Sequence, residues 1–214
     1  MLFVALLWRP LALASALTLP GGTAAQTIAD FETGLPDGTE QRDFKGQTVY
    51  EVVDKDGSRV LRATADGSAS GLIFPLRFDP VESPWLEWRW KIEGVIERGD
   101  ARTRRGDDYA ARVYVIFPHW LPVRTHSINY IWANQLPKDS QLANTYSSNA
   151  MMLALQSGNE RSGEWVIERR NLVEDYRRLF GDDPPNEAVV AVMTDTDQTG
   201  GSAQAWYDEI RIAR

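Results

Sequence analysis

The sequence of 214 residues contains no cysteine and only two histidines. The absence of cysteine excludes disulfide bonds, thiolate nucleophiles and zinc sites with cysteine ligands. The histidines, His119 and His126, form no spacing motif, and we interpret them as surface or boundary residues. The polar chemistry of the chain therefore depends mainly on carboxylates, guanidinium groups and phenols.

Basic residues and nucleotide-binding motifs are also scarce. Lysine and arginine together number 23 against 30 acidic residues, which gives a formal net charge of −7. A nucleic-acid-binding protein needs a basic surface that neutralises phosphates, so no nucleic acid is expected as a partner. The sequence has no P-loop, dinucleotide-binding glycine motif, Gly-Xaa-Ser-Xaa-Gly or His-Glu-Xaa-Xaa-His. Nucleotide enzymes, serine hydrolases and zinc proteases lose support accordingly.

Long hydrophobic runs are confined to the N-terminus. Residues 2–19 form an apolar run that Arg9-Pro10 interrupts, and small residues up to Ala25 follow it. This order predicts a secretory signal peptide over residues 1–25 and a periplasmic or secreted protein. An uncleaved membrane anchor is the competing interpretation, although Arg9-Pro10 would sit badly in a membrane-spanning helix. Residues 26–214 are expected to form one domain, with no transmembrane segment in the mature chain.

Short runs of alternating apolar residues recur between turn sequences along the rest of the chain. Such spacing is typical of an all-β protein, an antiparallel β-sandwich. The runs are Thr48–Asp54, Arg59–Ala65, Gly71–Phe78, Trp85–Ile92, Ala111–Phe117, His126–Ala133, Met151–Gln156, Trp165–Arg169, Ala188–Thr194 and Ala203–Ile212.

One segment has helical spacing instead. Between Asn171 and Gly181, apolar residues lie one, four, seven and eight positions after Leu172. Asn171 is a suitable N-cap with Glu174 three positions later, and Gly181 is a suitable C-terminal stop. The sequence predicts one short helix here, inserted before the last strands and packed on the sandwich.

Alternation also assigns side chains to faces. Trp88 and Trp90 share a face with Leu86 and Ile92, which predicts that these tryptophans belong to the core. A sugar-stacking platform is the alternative for a tryptophan-rich strand. Arg89 projects to the opposite face, into solvent or a polar groove.

Two short acidic segments are the most informative polar feature: Asp107-Asp108 and Asp195-Thr196-Asp197. They could ligate a hard cation, bind a polar ligand or act as an acid/base pair. Alternation from Ala111 onward places Arg112 and Tyr114 on the polar side of the adjoining strand. An ordinary structural ion pair with Arg112 is one interpretation, and a ligand groove lined by carboxylate and guanidinium groups is the other.

The sequence resembles an uncharacterised bacterial family, domain of unknown function 3047, over nearly the whole mature chain. No activity or catalytic residues follow from this resemblance. The segments that carry it are Ser68-Ala-Ser-Gly-Leu72, Trp88-Arg-Trp90, Gly106-Asp-Asp-Tyr-Ala-Ala-Arg112, Tyr130-Ile-Trp132, Arg170-Asn-Leu-Val-Glu-Asp-Tyr176 and Met193-Thr-Asp-Thr-Asp-Gln-Thr199.

A second resemblance concerns the two ends of the mature chain. Ile28-Ala-Asp-Phe-Glu32 and Trp206-Tyr-Asp-Glu-Ile210 resemble the terminal strands of galactose-binding-like jelly rolls, among them carbohydrate-binding modules and the complex I assembly factor. In several such modules the terminal strands share a structural calcium ion. The resemblance therefore implies a jelly-roll sandwich and makes Glu32 and Asp208 candidate Ca²⁺ ligands. An ordinary edge-strand acid is the alternative at each position.

The loop after Asp195 begins like an EF-hand, with acids at positions one and three and Gly200 at position six. Position twelve is Trp206, where an EF-hand requires a bidentate glutamate, so the match fails. A calcium loop of another design, a solvated turn and the acidic half of a groove remain open.

We expect non-catalytic binding of a saccharide or another polar component of the cell envelope. A carboxylate-dependent glycoside hydrolase or polysaccharide lyase is the first alternative, using Asp107 or Asp108 with Asp197, and Tyr114 or Tyr130 as an assisting group. An envelope assembly or interaction protein is the second alternative. The residues expected to line the binding groove and its rim are Arg89, Asp107, Asp108, Arg112, Tyr114, Tyr130, Trp132, Asp195 and Asp197.

Overall fold

The computed structural model describes residues 25–214. The predicted signal peptide, apart from Ala25, lies outside the described residues. Within them are thirteen β-strands, one α-helix and two short 3-10 turns, Arg104–Gly106 and Pro122–Arg124. The elements are β1 (Gln26–Ala29), β2 (Glu40–Lys45), β3 (Val49–Lys55), β4 (Ser58–Asp66), β5 (Ala69–Phe78), β6 (Trp85–Ile92), β7 (Tyr109–Phe117), β8 (His126–Ala133), β9 (Gln141–Asn144), β10 (Ser147–Ser157), β11 (Val166–Asn171), α1 (Leu172–Phe180), β12 (Ala188–Asp195) and β13 (Ser202–Ala213).

The strands form two sheets. The six-stranded sheet has the order β11-β6-β13-β4-β3, and β1 pairs with the C-terminal part of β13. The seven-stranded sheet has the order β2-β5-β12-β7-β8-β10-β9. Neighbouring strands are antiparallel except for β8 and β10, which run parallel. The predicted antiparallel β-sandwich with one short helix is confirmed, and the chain crosses repeatedly between the sheets, as in a jelly roll.

The core lies between the two sheets, and β6 shows how the sequence places it there. Even-numbered residues of β6 are buried and odd-numbered residues are partly exposed. Trp88 and Trp90 contact Tyr130 and Trp132 of β8, with ring centroids 5.2 and 5.8 Å apart. The prediction that the β6 tryptophans are core residues is therefore confirmed, and a sugar-stacking platform is wrong for them.

The two central strands of the seven-stranded sheet, β7 and β12, are buried along their whole length. The inner face of β7 contributes Val113 and Val115 to the main core. Its outer face carries Tyr114, which packs with Met193 of β12 in a separate cluster. Side chains on the outer face of these strands are thus buried as well, although they point away from the sandwich core.

Helix α1 follows β11 directly. Asn171 caps it, because its side-chain oxygen accepts hydrogen bonds from the backbone N–H groups of Val173 and Glu174, both at 3.1 Å. Gly181 ends it in the left-handed conformation with φ 75°, which favours glycine. The helix prediction is confirmed. In residues 25–214, no helix has the length and apolar character needed to cross a membrane.

Candidate functional site

A cavity of about 430 Å³ opens on the outer face of the seven-stranded sheet. We call it the main groove. Its floor is formed by β7, β8 and β12, and its walls by the β9–β10 hairpin, the 3-10 turn Pro122–Arg124 and the loop after β12. The side chains that matter most for its chemistry are Asp107, Arg112, Tyr114, Asn129, Asn144, Tyr146, Asp195 and Asp197.

Arg112 is the central charged group of the main groove. It lies opposite Met193 in the register of β7 and β12, and Asp195 lies two positions further along β12, opposite Tyr109. Asp195 accepts a hydrogen bond from Arg112 Nη2, and Asp107 Oδ1 lies 4.0 Å from Arg112 Nη1. Arg112 is only 4% exposed. Burial is the largest single effect on its pKa and opposes its charge. Asp195 and the neighbouring Tyr114, Asp107 and Tyr109 together outweigh burial, so the pKa of Arg112 lies above its ordinary value.

Aromatic rings surround the guanidinium group. The Arg112 carbon Cζ lies 4.7 Å from the ring centroid of Tyr109 and 5.6 Å from that of Tyr114. A planar guanidinium group stacks on such rings and is more weakly hydrated than an ammonium group, which favours arginine at a buried position. The floor of the main groove is therefore a buried cation held by two carboxylates and two phenol rings.

Asp107 reaches the main groove from the 3-10 turn Arg104–Gly106. Gly106 is required there, because a Cβ atom would lie 2.5 Å from the backbone nitrogen of Asp100. Both carboxylate oxygens of Asp107 accept hydrogen bonds from Asn144 Nδ2, at 3.1 and 2.9 Å. Burial raises the pKa of Asp107, and Arg112 opposes this effect. Burial likewise raises the pKa of Asp195 well above its ordinary value.

Asp108 lies beside the main groove and fixes the loop after β12 through hydrogen bonds. Its carboxylate accepts hydrogen bonds from the backbone N–H groups of Gln198 and Thr199, the latter at 2.6 Å. Carboxylate oxygens of Asp108, Asp195 and Asp197 all lie within 4.8 Å of one another. Oxygen atoms so arranged could hold a hard cation such as Ca²⁺. All three carboxylates already accept hydrogen bonds from the protein, so the cluster also serves to fix the loop.

The walls of the main groove add amide and phenol groups. The hydroxyl of Tyr146 donates to the backbone oxygen of Arg104 at 3.2 Å, and the Arg104 guanidinium lies 5.1 Å from the Tyr146 ring centroid. Arg112 Nε and Asn129 Oδ1 are buried and have no hydrogen-bond partner within residues 25–214. Unsatisfied buried polar atoms are uncommon, and here both belong to residues that line the main groove.

With this geometry established, comparison with known proteins identifies the family. A family model described as "Protein of unknown function (DUF3047)" matches residues 37–211. The chain belongs to this family. The resemblance found in the sequence motifs is therefore confirmed. No curated protein matches the chain in sequence.

Several solved structures resemble this DUF3047 chain in fold. The family 11 carbohydrate-binding module of a cellulosomal cellulase of Clostridium thermocellum has a TM-score of 0.48 at 11% identity, over 90% of this chain and 96% of that one. The family 30 module of cellulase Cel9D-Cel44B from the same organism has 0.47 at 12%, over 87% and 98%. The K3 adhesin domain of Lys-gingipain from Porphyromonas gingivalis has 0.43 at 13%, over 89% and 100%.

Three residues expected in the groove lie elsewhere. Tyr130 and Trp132 face the core, because they share the inner face of β8 with Ile128, whereas Asn129 occupies the outer face. Arg89 belongs to the six-stranded sheet, where it donates to Asp208 and to the hydroxyl of Ser58 at 2.8 Å. The prediction that these three side chains line the binding groove is therefore wrong. Strand parity excludes Tyr130 and Trp132, and membership of the other sheet excludes Arg89.

The expected calcium ligands are not brought into one carboxylate cluster. Asp208 is 2% exposed and accepts a hydrogen bond from Arg89 Nε at 3.0 Å, so a guanidinium group already balances its charge. The backbone oxygen of Glu32 accepts from Arg59 at 3.0 Å. Within residues 25–214, the acidic group arranged for a metal ion is the one formed by Asp108, Asp195 and Asp197.

The position of Tyr130 leads to a prediction. Its hydroxyl donates to Asp175 of α1 at 2.7 Å, and Arg170 Nε donates to the same carboxylate at 2.8 Å. Tyr130→Phe should lower the free energy of unfolding by about 1.5–3 kcal/mol, the usual contribution of a hydrogen bond to a charged group. Urea denaturation measures this loss. The affinity for the ligand should not change. A large loss of affinity without loss of stability would mean that Tyr130 contacts the ligand in the groove after all.

Several groove residues could not be found from the sequence. Asn129, Asn144 and Tyr146 carry no motif. Asn144 ends the short strand β9, and Tyr146 lies in the two-residue turn between β9 and β10. The only available sign was parity in β8, where Ser127 and Asn129 alternate with the apolar residues. Polar side chains at alternate positions of a buried strand indicate a second, functional face.

Proposed function

We propose that the protein binds a saccharide, without chemical conversion, in the main groove. The observation that carries this proposal is the buried Arg112 on the floor of an open 430 Å³ cavity whose walls supply carboxylate, amide and phenol groups. Ligand cavities in proteins measure roughly 300–1,000 Å³, so a short stretch of sugar units fits this volume.

The chemistry of the lining suits sugars. A sugar hydroxyl both donates and accepts hydrogen bonds, and adjacent hydroxyls match the planar, two-atom faces of carboxylate, amide and guanidinium groups. Asp107, Asn144 and Asp197 line the main groove with carboxylate and amide groups of this kind. Tyr114, Tyr146 and Val123 supply apolar surface for the C–H faces of a sugar ring. Acceptors outnumber cations in the groove, which favours a ligand rich in hydroxyl donors.

A carboxylate-dependent hydrolase or lyase is the second candidate. The raised pKa of Asp107 favours it, because a general acid must hold its proton near neutral pH. The partners of the carboxylates favour binding instead. Asn144 donates to both oxygens of Asp107, and the backbone N–H groups of Gln198 and Thr199 donate to Asp108. Asp197 accepts a hydrogen bond from Gln198 Nε2 at 2.7 Å. Each of the three carboxylates is thus already hydrogen-bonded by the protein, which favours a structural or binding role over that of nucleophile or base.

The experiment that tests the proposal is a binding screen of the purified protein on glycan arrays and on insoluble envelope polysaccharides. We expect saturable binding to one group of related saccharides, with unaltered chain lengths after long incubation. Shortened chains or unsaturated ends would establish the hydrolase or lyase instead. A protein that binds no saccharide but co-purifies with one protein partner would establish the envelope assembly function.

Export and calcium binding also belong to this proposal. A periplasmic or secreted location follows from the apolar N-terminal run alone and is tested by fractionating cells that express the full chain. A structural calcium ion remains a prediction, and Asp108, Asp195 and Asp197 are the described carboxylates that could hold one. Isothermal titration with Ca²⁺ tests it, since binding should disappear in Asp197→Asn.

A further inference from the structure

A second cavity, of about 360 Å³, adjoins the main groove. The 3-10 turn Pro122–Arg124 contributes to both, because Pro122 and Val123 line the main groove while Arg124 lines the second cavity. Asn149 lines both cavities, and its side chain donates to the backbone oxygen of Val123 at 2.7 Å. Both histidines of the chain line this second cavity, which we call the histidine cavity.

The hydrogen bonds of the histidines leave donors for a ligand. His119 Nδ1 accepts from the backbone N–H of Leu121 at 2.9 Å, so the proton of the neutral ring lies on Nε2. His126 Nδ1 is 2.7 Å from the hydroxyl of Tyr176. The Tyr176 hydroxyl can donate this hydrogen bond, and the His126 ring then carries its proton on Nε2.

Arg124 supplies a cation that the described protein does not neutralise. It is exposed, and within residues 25–214 its guanidinium group has no hydrogen bond or ion pair. Arg177 of α1, by contrast, donates to Asp183 at 2.6 Å. An unpaired guanidinium group at the edge of a cavity is suited to bidentate binding of a carboxylate or phosphate.

The other charged groups near the cavity are few. Asp182, from the loop after α1, acts on His126 and Tyr176, and Phe180 stacks on the His126 ring at a centroid distance of 4.4 Å. Burial and the neighbouring His119 lower the pKa of His126, whereas Asp182 raises it. A bound anion would act in the same direction as Asp182 and would favour the imidazolium form of His126.

We propose that the histidine cavity is a subsite for an oxyanion. When a saccharide occupies the main groove, this oxyanion is an acidic substituent of the saccharide, such as a uronate carboxylate. Arg124 makes the charged contact, and the imidazole N–H groups of His119 and His126 donate further hydrogen bonds. The identification of the ligand as an acidic saccharide rests on the proposed function. The binding of an oxyanion rests only on the geometry of the cavity.

The test is an NMR titration that follows the imidazole signals of His119 and His126. We expect sodium glucuronate to shift both rings and to raise the pKa of His126, whereas glucose shifts neither. Arg124→Gln should weaken glucuronate binding about tenfold or more, since a charged hydrogen-bonded contact is lost. Arg124→Lys should retain part of the affinity. Arg161→Gln is the matched control, because Arg161 is exposed and lines neither cavity.

Inorganic phosphate separates the two sources of the anion. If phosphate shifts the imidazole signals and glucuronate does not, the saccharide subsite is overturned. If neither anion shifts these signals, the oxyanion site itself is overturned. The main groove is assayed in parallel with neutral oligosaccharides from the array screen. If oligosaccharides bind in the main groove but anions do not shift the imidazole signals, only this inference is contradicted. If anions shift the imidazole signals but no oligosaccharide binds, only the proposed function is contradicted.

Discussion

Arg112→Met should lower the free energy of unfolding by about 3–5 kcal/mol near neutral pH, the usual cost of removing one partner of a buried ion pair. The substitution keeps most of the apolar volume but leaves Asp195 and Asp107 without the cation that balances them. Urea denaturation measures the loss. Arg161→Met is the control, since its ion pair with Glu164 is exposed and should contribute less than about 1 kcal/mol.

The loss should depend on pH with a defined sign. Burial raises the pKa of Asp107 and Asp195 in the folded state above their unfolded values. Their contribution to stability is therefore present below the unfolded pKa and is lost as the pH rises through the folded pKa. Without Arg112 the folded pKa rises further, so the deficit of Arg112→Met should be large near neutral pH and smaller in mild acid. An equal deficit at both pH values would contradict the assignment.

A double variant separates charge from packing. Arg112→Met combined with Asp195→Asn removes both members of the closest ion pair, so it should recover a substantial part of the stability lost in Arg112→Met alone. If the double variant is as unstable as the sum of the single variants, the loss arises from packing around the side chains and not from the unbalanced carboxylate.

Tyr146→Ala should weaken saccharide binding by about tenfold or more. Its ring is part of the groove wall and is only partly buried, so removing it takes apolar contact from the ligand while leaving the core intact. Isothermal titration measures the change with the strongest-binding saccharide from the array. Tyr146→Phe should retain most of the affinity if the ring is the main contact.

The matched control for this variant is Trp165→Ala. Trp165 is also a partly exposed aromatic residue, but it lies against Arg89 of the six-stranded sheet, with a centroid distance of 4.8 Å. Its removal should leave saccharide affinity unchanged. Loss of binding in Trp165→Ala with full binding in Tyr146→Ala would move the binding site to the other sheet.

The fold was largely predictable because its signals are local. Strict alternation in β6 and the capped helix α1 each follow from short-range preferences, and both were assigned correctly. The strands β2 and β9 were missed. Glu40–Lys45 is polar and half exposed along its length, as an edge strand is, so it lacks the apolar alternation on which the prediction depended.

The site was only partly predictable because it depends on register. Arg112 and Asp195 are 83 positions apart in the sequence, and the pairing of β7 with β12 in this register brings them together. Their residue types indicated polar chemistry, but sequence spacing could not specify the contact. Arg89 shows the converse. Its outward direction follows from parity, yet nothing local tells which of the two sheets contains its strand.

The most direct test of saccharide binding in the main groove is a backbone amide chemical-shift map recorded with the strongest-binding saccharide. We predict perturbations on β7 around Arg112 and Tyr114, in the loop from Asp195 to Gln198, and in the β9–β10 hairpin around Tyr146. Perturbations on the outer face of the six-stranded sheet instead, around Trp165 and Trp206, would contradict it.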